Sequence, residues 1–246
     1  MTVNVYWTRF MPSMHDIVKL GNNPRSFISP VLLYEPVQLA KHIKYKDYFG
    51  PAVSQCPAIV DDIKNTYVIK SPIDISIKIN QDGLIIDDVD VEIGKQFLGP
   101  PQGVFGIHQL GFSYLYFSEK SLIGTQLPAY YDDNDFTRKT QAFSGSFDIG
   151  KWYRPAAKPT FKFLPNTREV KIKKGDALSY FRLNTAERVK LIEFEEPEIK
   201  ETDYSGLLTA IKYPFNKILS LEHCYEYFER YKMRQRVLKY IKKNIV

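Results

Sequence analysis

Cysteine is nearly absent from this 246-residue chain: Cys56 and Cys224 are its two, far apart and without a CxxC partner. That excludes a disulfide scaffold and fits a reducing compartment. Long apolar runs are missing as well. None approaches the roughly 18 residues of a membrane helix, and the opening MTVNVYWTRF lacks the apolar stretch of a signal peptide. The expectation is a protein kept in the cytoplasm, with no membrane partner. Walker A, GxGxxG and GxSxG motifs are absent, and neither cysteine sits in a nucleophile motif. The four histidines (His15, His42, His108 and His223) form no HxH, HxD or HExxH spacing. No catalytic residue and no cofactor is assigned.

What is present is an ordinary globular composition, 44% apolar and 25% charged. A chain of this size can bury about 70–75% of its unfolded surface, so its core needs no metal staple. Aromatic residues are abundant, with 17 Tyr and 16 Phe, and these favour strands and interfaces. The net charge of +6 is uneven. Seven bases and no acid occur from Arg230 to Val246, which leaves 27 bases against 28 acids elsewhere, a net of −1. The basicity belongs to the tail.

Alternation of apolar and polar residues marks strands at VNVYWT (3–8), NTYVIKS (65–71) and IDISIKI (73–79). NQDG (80–83) is a hairpin-type turn. Further strands are expected at 104–117, 143–153, 159–164, 168–173 and 177–183. Breakers crowd 11–57, where only Val37–Ile43 reads as a short helix. The expected fold is mainly β, a jelly-roll-like β-sandwich with an irregular N-terminal arm and a C-terminal α-helical extension. Its segments are 1–55, 56–192 and 193–246. The third holds the acidic run EFEEPEIKETD and one helix opened by Ser220, with Leu221, Tyr225 and Phe228 on its apolar face.

Candidate sites are few. VKIKKGDALSYFRL (170–183) joins two alternating runs at Lys173-Lys174-Gly175-Asp176. With no helix following, the turn has weak potential as an anion nest and reads as a hairpin bend. His108 with Asp148 is the weak candidate for a metal pair. The acids of DDVDVE (87–92) and YYDDND (130–135) lack EF-hand spacing and read as solvated turns. The basic helix is the one candidate address for phosphate or an acidic partner, through Arg230, Lys232, Arg234, Arg236, Lys239, Lys242 and Lys243.

The run SGSFDIGKWYRPAAKPTFKFLPNTREVKIKKGDALSYFRL (144–183) and the segment CPAIVDDIKNTYVIKSPIDISIKI (56–79) resemble uncharacterised bacterial and tailed-phage proteins, cyanophage-like among them. The resemblance covers roughly 56–183. It implies a β-rich core and a phage origin, and says nothing of chemistry. A Gly-Asp turn before a final strand also resembles trimeric dUTPases and dCTP deaminases, for which Asp74, Asp148 and the Ser-Gly-Ser at 144–146 would have to serve. The expectation is a non-catalytic phage protein, a virion or assembly component or an interaction module, resident in the infected cell's cytoplasm and carried into the virion. A protein partner or self-association is expected. The alternatives are a jelly-roll enzyme, metal-dependent or nucleotide-directed, and nucleic-acid binding through the basic helix.

Overall fold

A computed structural model describes residues 1–10, 33–80, 83–87, 98, 106–110, 113–151, 155–156, 158–195, 226, 228–230 and 232–246. Strand β1 (Thr2–Phe10) lies between β7 (Ser113–Ser118), antiparallel, and β15 (Arg188–Glu193), parallel, with β11 (Pro155–Ala156) beyond β7. A five-stranded sheet runs β10 (Gly145–Asp148), β8 (Ile123–Leu127), β14 (Ala177–Leu183), β3 (Thr66–Lys70) and β2 (Val37–Gln38). Two three-stranded sheets complete the set: β6 (His108–Gln109), β12 (Thr160–Phe163), β9 (Thr140–Ala142), and β13 (Glu169–Ile172), β4 (Ile75–Asn80), β5 (Gly83–Asp87). The protein is mainly β.

Successive strand residues point to opposite faces, and here both faces are apolar. On β1 and β7, Val3, Val5, Trp7, Tyr114 and Tyr116 enter the main core, whereas Tyr6, Leu115 and Phe117 point the other way. On β3 and β14, Tyr67, Ile69, Phe181 and Leu183 enter that same core, whereas Val68 and Tyr180 face outward. The two larger sheets meet where Tyr116 stacks on Phe181, ring centroids 4.5 Å apart. The N-terminal strand is thus part of the central core; residues 11–32 of the expected irregular arm lie outside the described residues.

The outer faces are covered by helices. Helix α1 (Leu39–His42), α2 (Tyr45–Val53) and α3 (Pro57–Ile63) cover the five-stranded sheet through Leu39 and Ile63. Of these three, only α1 falls where the sequence suggests a helix. Pro57 at the start of α3 is preorganised for a first turn, and α2 is kinked at Gly50-Pro51, so their breakers read as loop. Helix α4 (Asp135–Lys139) begins at the last residue of the YYDDND run, with Asn134 of that run as its N-cap. Helix α5 (Met233–Lys243) covers the four-stranded sheet, placing Met233, Val237 and Ile241 against Tyr6, Leu115, Phe117 and Phe194. Its N-cap, Lys232, has φ +50, so the single helix expected from Ser220 is interrupted there; Ser220, Leu221 and Tyr225 lie outside the described residues. No helix among the described residues is long and apolar enough to cross a membrane.

Strands β4 and β5 pair antiparallel up to Asn80↔Gly83, on either side of the NQDG segment, whose residues 81 and 82 lie outside the described residues. The Lys-Lys-Gly-Asp turn is different. Strand β13 pairs with β4, but β14 pairs with β3, so the chain changes sheets here and no hairpin forms. The neighbouring β3–β4 link crosses at Ser71–Asp74 too. The two crossings are stitched together by Ser71 N–H to the Asp176 carbonyl (2.9 Å) and Gly175 N–H to the Ser71 carbonyl (2.8 Å). Glycine suits the position because φ is +92.

Tyr116 is fully buried, and among the described residues its hydroxyl has no hydrogen-bond partner. Burial, followed by the neighbouring Tyr114 and Tyr67, pushes its pKa well above the ordinary value. Tyr116→Phe removes an unsatisfied group while keeping the stack, so stability should rise by about 1 kcal/mol. Chemical denaturation reads the change, and a loss of stability would show that the hydroxyl is bonded.

Candidate functional site

Tyr180 and Arg182 lie two residues apart on β14 and so share its outward face. Each meets a carboxylate from another element. Arg182 Nη1 donates to Asp62 Oδ1 on α3 at 3.0 Å, and the Tyr180 hydroxyl donates to Asp132 Oδ2 at 2.6 Å. Asp62 also accepts from the hydroxyls of Tyr130 (2.7 Å) and Tyr131 (2.9 Å). The other oxygen of Asp132 meets His42 Nε2 of α1 at 2.7 Å. Two carboxylates therefore tie α1, α3, β14 and the loop before α4 into one network.

The loop is held independently. Asn134 accepts from Thr137 N–H (2.9 Å), while Thr137 Oγ1 accepts from Asn134 N–H (3.0 Å), a reciprocal cap of α4. The Asn134 amide also donates to the Ala177 carbonyl of β14 (2.8 Å). Aromatic rings are layered over this frame. Tyr131 lies 5.3 Å from Phe49 and 6.0 Å from Tyr48 of α2, and Tyr130 lies 5.3 Å from Tyr180. Tyr48 and Tyr130 are 54% and 46% exposed, large for aromatic residues with fixed ring neighbours. A cavity of about 300 Å³ opens beside Tyr130, lined also by Asp132, Phe136, Thr137, Arg138 and Leu178.

The sequence-derived candidates fall elsewhere. At Lys173-Lys174-Gly175 the N–H groups are already occupied: Lys173's by Asp176 (2.8 Å), Lys174's by Asp74 (2.8 Å) and Gly175's by Ser71. No nest for an anion remains. His108 is on β6, against Phe161 and Phe163, whereas Asp148 is on β10 in another sheet. Asp148 is a turn clamp, accepting from the N–H groups of Leu122 (3.0 Å) and Gly150 (2.8 Å) and from the Ser121 hydroxyl. Among the described residues, no three of His, Cys, Asp and Glu cluster as metal ligands would. His15 and His223 lie outside the described residues. Asp133 is a solvated acid as expected, at 83% side-chain exposure, but Asp132 is a half-buried organiser. Of DDVDVE only Asp87 is described, paired with Lys78 at 2.5 Å.

The basic helix divides its cations. Arg234 Nε donates to the Gly150 carbonyl (2.7 Å) and Lys242 pairs with Glu119 (2.9 Å), so both anchor the helix. Lys242 and the Tyr6 hydroxyl together hold the Glu119 carboxyl below its usual range. Arg230, Lys232, Arg236, Lys239 and Lys243 are exposed.

The Tyr–Asp network was missed because its partners are far apart in the chain: Asp62 from Arg182, and His42 from Asp132. The one available signal was the doubled Tyr and Asp of YYDDND.

Burial, then the bond to Asp62, pushes the Tyr131 hydroxyl up to about 12. Burial and the same carboxylate raise Tyr130, and burial with Asp132 raises Tyr180. A raised folded-state value means that the stabilisation is complete below the unfolded value near 10 and is lost as pH climbs towards 12. Stability should fall across that window, with part of the tyrosinate absorbance, that of the buried and carboxylate-bonded rings, rising only as the chain unfolds. Asp62→Asn should bring part of that absorbance change to lower pH. An unchanged titration would remove Asp62 from the network. No family model, curated protein or solved structure matches the chain.

Proposed function

We propose that the chain is a non-catalytic interaction protein that self-associates through the aromatic face of α2 and the Tyr130 loop. The observation that carries this reading is the pair of exposed rings, Tyr48 and Tyr130, set on a hydrogen-bonded frame. Tyrosine and arginine are enriched at interface centres, and aromatic rings held before docking lose little entropy on contact. The finer fold reading is a jelly-roll-like sandwich, supported by the paired sheet crossings at Ser71–Asp74 and Lys173–Asp176. The resemblance of 56–183 supports a phage setting: a component made in the cytoplasm of the infected cell and carried into the virion.

The enzyme reading has less behind it. Asp74 and Asp148 serve turns, Ser146 bonds to Thr125 (2.8 Å), and none of these lines either cavity described for this chain.

Light scattering at rising concentration and at low and high salt tests self-association. The expected result is a discrete, salt-insensitive oligomer that Tyr48→Ser, which leaves the hydrogen bonds of Asp62 in place, shifts to monomer while the melting temperature holds. A monomer at every concentration sinks the proposal, as does an oligomer that Tyr48→Ser leaves intact.

A second reading has its own support in the stretch 230–243, where Arg230 and Lys232 before α5 and Arg236, Lys239 and Lys243 on it are exposed. On that reading a duplex oligonucleotide binds with steep salt dependence, since phosphate contacts release counterions. Fluorescence anisotropy should then show that Lys232→Ala with Lys239→Ala and Lys243→Ala weakens binding and flattens the salt slope. Absence of binding at low salt removes this reading.

A further inference from the structure

The opposite face of α3 from Asp62 borders a second, larger cavity of about 530 Å³. That is within the roughly 300–1,000 Å³ of small-molecule sites. Val60 and Ile63, one helical turn apart, form an apolar wall with Ala40 and the Tyr45 ring. The polar lining is of one sign. Lys64 and Arg188 contribute cations, Gln38 and Asn65 contribute amides, and among the described residues no carboxylate lines the space. A low-dielectric wall with charge of a single sign concentrates the field towards an oppositely charged ligand.

Hydrogen bonds fix the Lys64 side chain and the backbone leading into Arg188. Lys64 Nζ donates to the Ala186 carbonyl at 2.8 Å, which uses one of its three donors and leaves two. Asn65, at φ +54, donates its amide to the carbonyls of Thr185 (3.0 Å) and Glu187 (2.9 Å), and so fastens the end of α3 to the turn before Arg188. The acid in that turn, Glu187, is directed to Lys120 instead. Tyr45 is fixed by its hydroxyl bond to the Ser54 carbonyl.

We propose that this cavity binds a small organic anion: a carboxylate or phosphate group on a flat apolar body. The anionic group sits between Arg188, whose planar fork suits two acceptor oxygens, and Lys64. The body lies against Val60, Ile63 and the Tyr45 ring. The cavity shares Tyr45 of α2 with the edge of the aromatic face, where that ring lies 5.6 Å from Phe49; the substitutions below leave Tyr45, Tyr48 and Tyr130 in place, so this proposal and self-association can fail separately.

Calorimetric titration of the full chain with phenyl phosphate, inorganic phosphate and benzyl alcohol tests it. One-to-one binding of phenyl phosphate is expected, at least tenfold tighter than either fragment. Arg188→Gln and Lys64→Gln should each weaken it about tenfold, as loss of a charged hydrogen bond implies. Val60→Asp, at a partly exposed rim position, should abolish binding with the melting temperature unchanged. Equal affinity for phenyl phosphate and inorganic phosphate would mean ion atmosphere only and overturn the proposal. So would an affinity that survives both cation substitutions, or no saturable heat.

Discussion

Two-sided burial of the central strands is the constraint on which the rest of this molecule depends. Strands β1, β7, β3 and β14 each send alternate residues into the shared core and the intervening ones into a second apolar layer. With water excluded from both faces, every backbone group in these strands needs a partner, and a slip of one residue would exchange the layers wholesale. Register is therefore tightly specified. The helices follow from the same constraint, since Met233, Val237 and Ile241 cover one outer layer while Leu39 and Ile63 cover the other.

That parity also sets the polar chemistry. Phe181 points inward to stack on Tyr116, so Tyr180 and Arg182 must point outward, where Asp132 and Asp62 meet them. Polar networks of this kind are costly when half-satisfied and rigid when complete. Here Asp62 accepts from two hydroxyls and a guanidinium, and Asp132 is shared by a hydroxyl and an imidazole. The consequence is an aromatic surface held in place by the fold itself. It is also a division of labour along α3, whose Asp62 serves that surface while Val60, Ile63 and Lys64 border the cationic cavity.

The net charge of the tail is a poor guide to its role. Arg234 and Lys242 are docking contacts to Gly150 and Glu119, and the helix is seated by its apolar stripe. What remains exposed is the outer row. Electrostatics thus anchor one side of the helix and leave the other for long-range attraction, which salt screens.

Much of the strand content was legible in the chain, because period-two alternation is a local signal: β1, β3, β4, β12, β13 and β14 fall close to where it places them. The antiparallel pairing of β4 with β5 on either side of NQDG agrees with that pattern. Helices α2 and α3 were not, since Gly50-Pro51 and Cys56-Pro57 carry the residues of a loop while the surrounding apolar layer holds them helical. Nor was the change of sheet at Lys173–Asp176, because a turn's own residues do not say which strands its neighbours will join. By itself the sequence determined a β-rich core, a basic tail and the absence of familiar catalytic motifs, all of which depend on composition and short-range pattern. Only the tertiary structure decided that Asp62, His42, Asp132, Tyr180 and Arg182 meet, and that Lys64 and Arg188 border one cavity. Those meetings depend on strand pairing across more than a hundred residues, as between Asp62 and Arg182, and no local pattern encodes them.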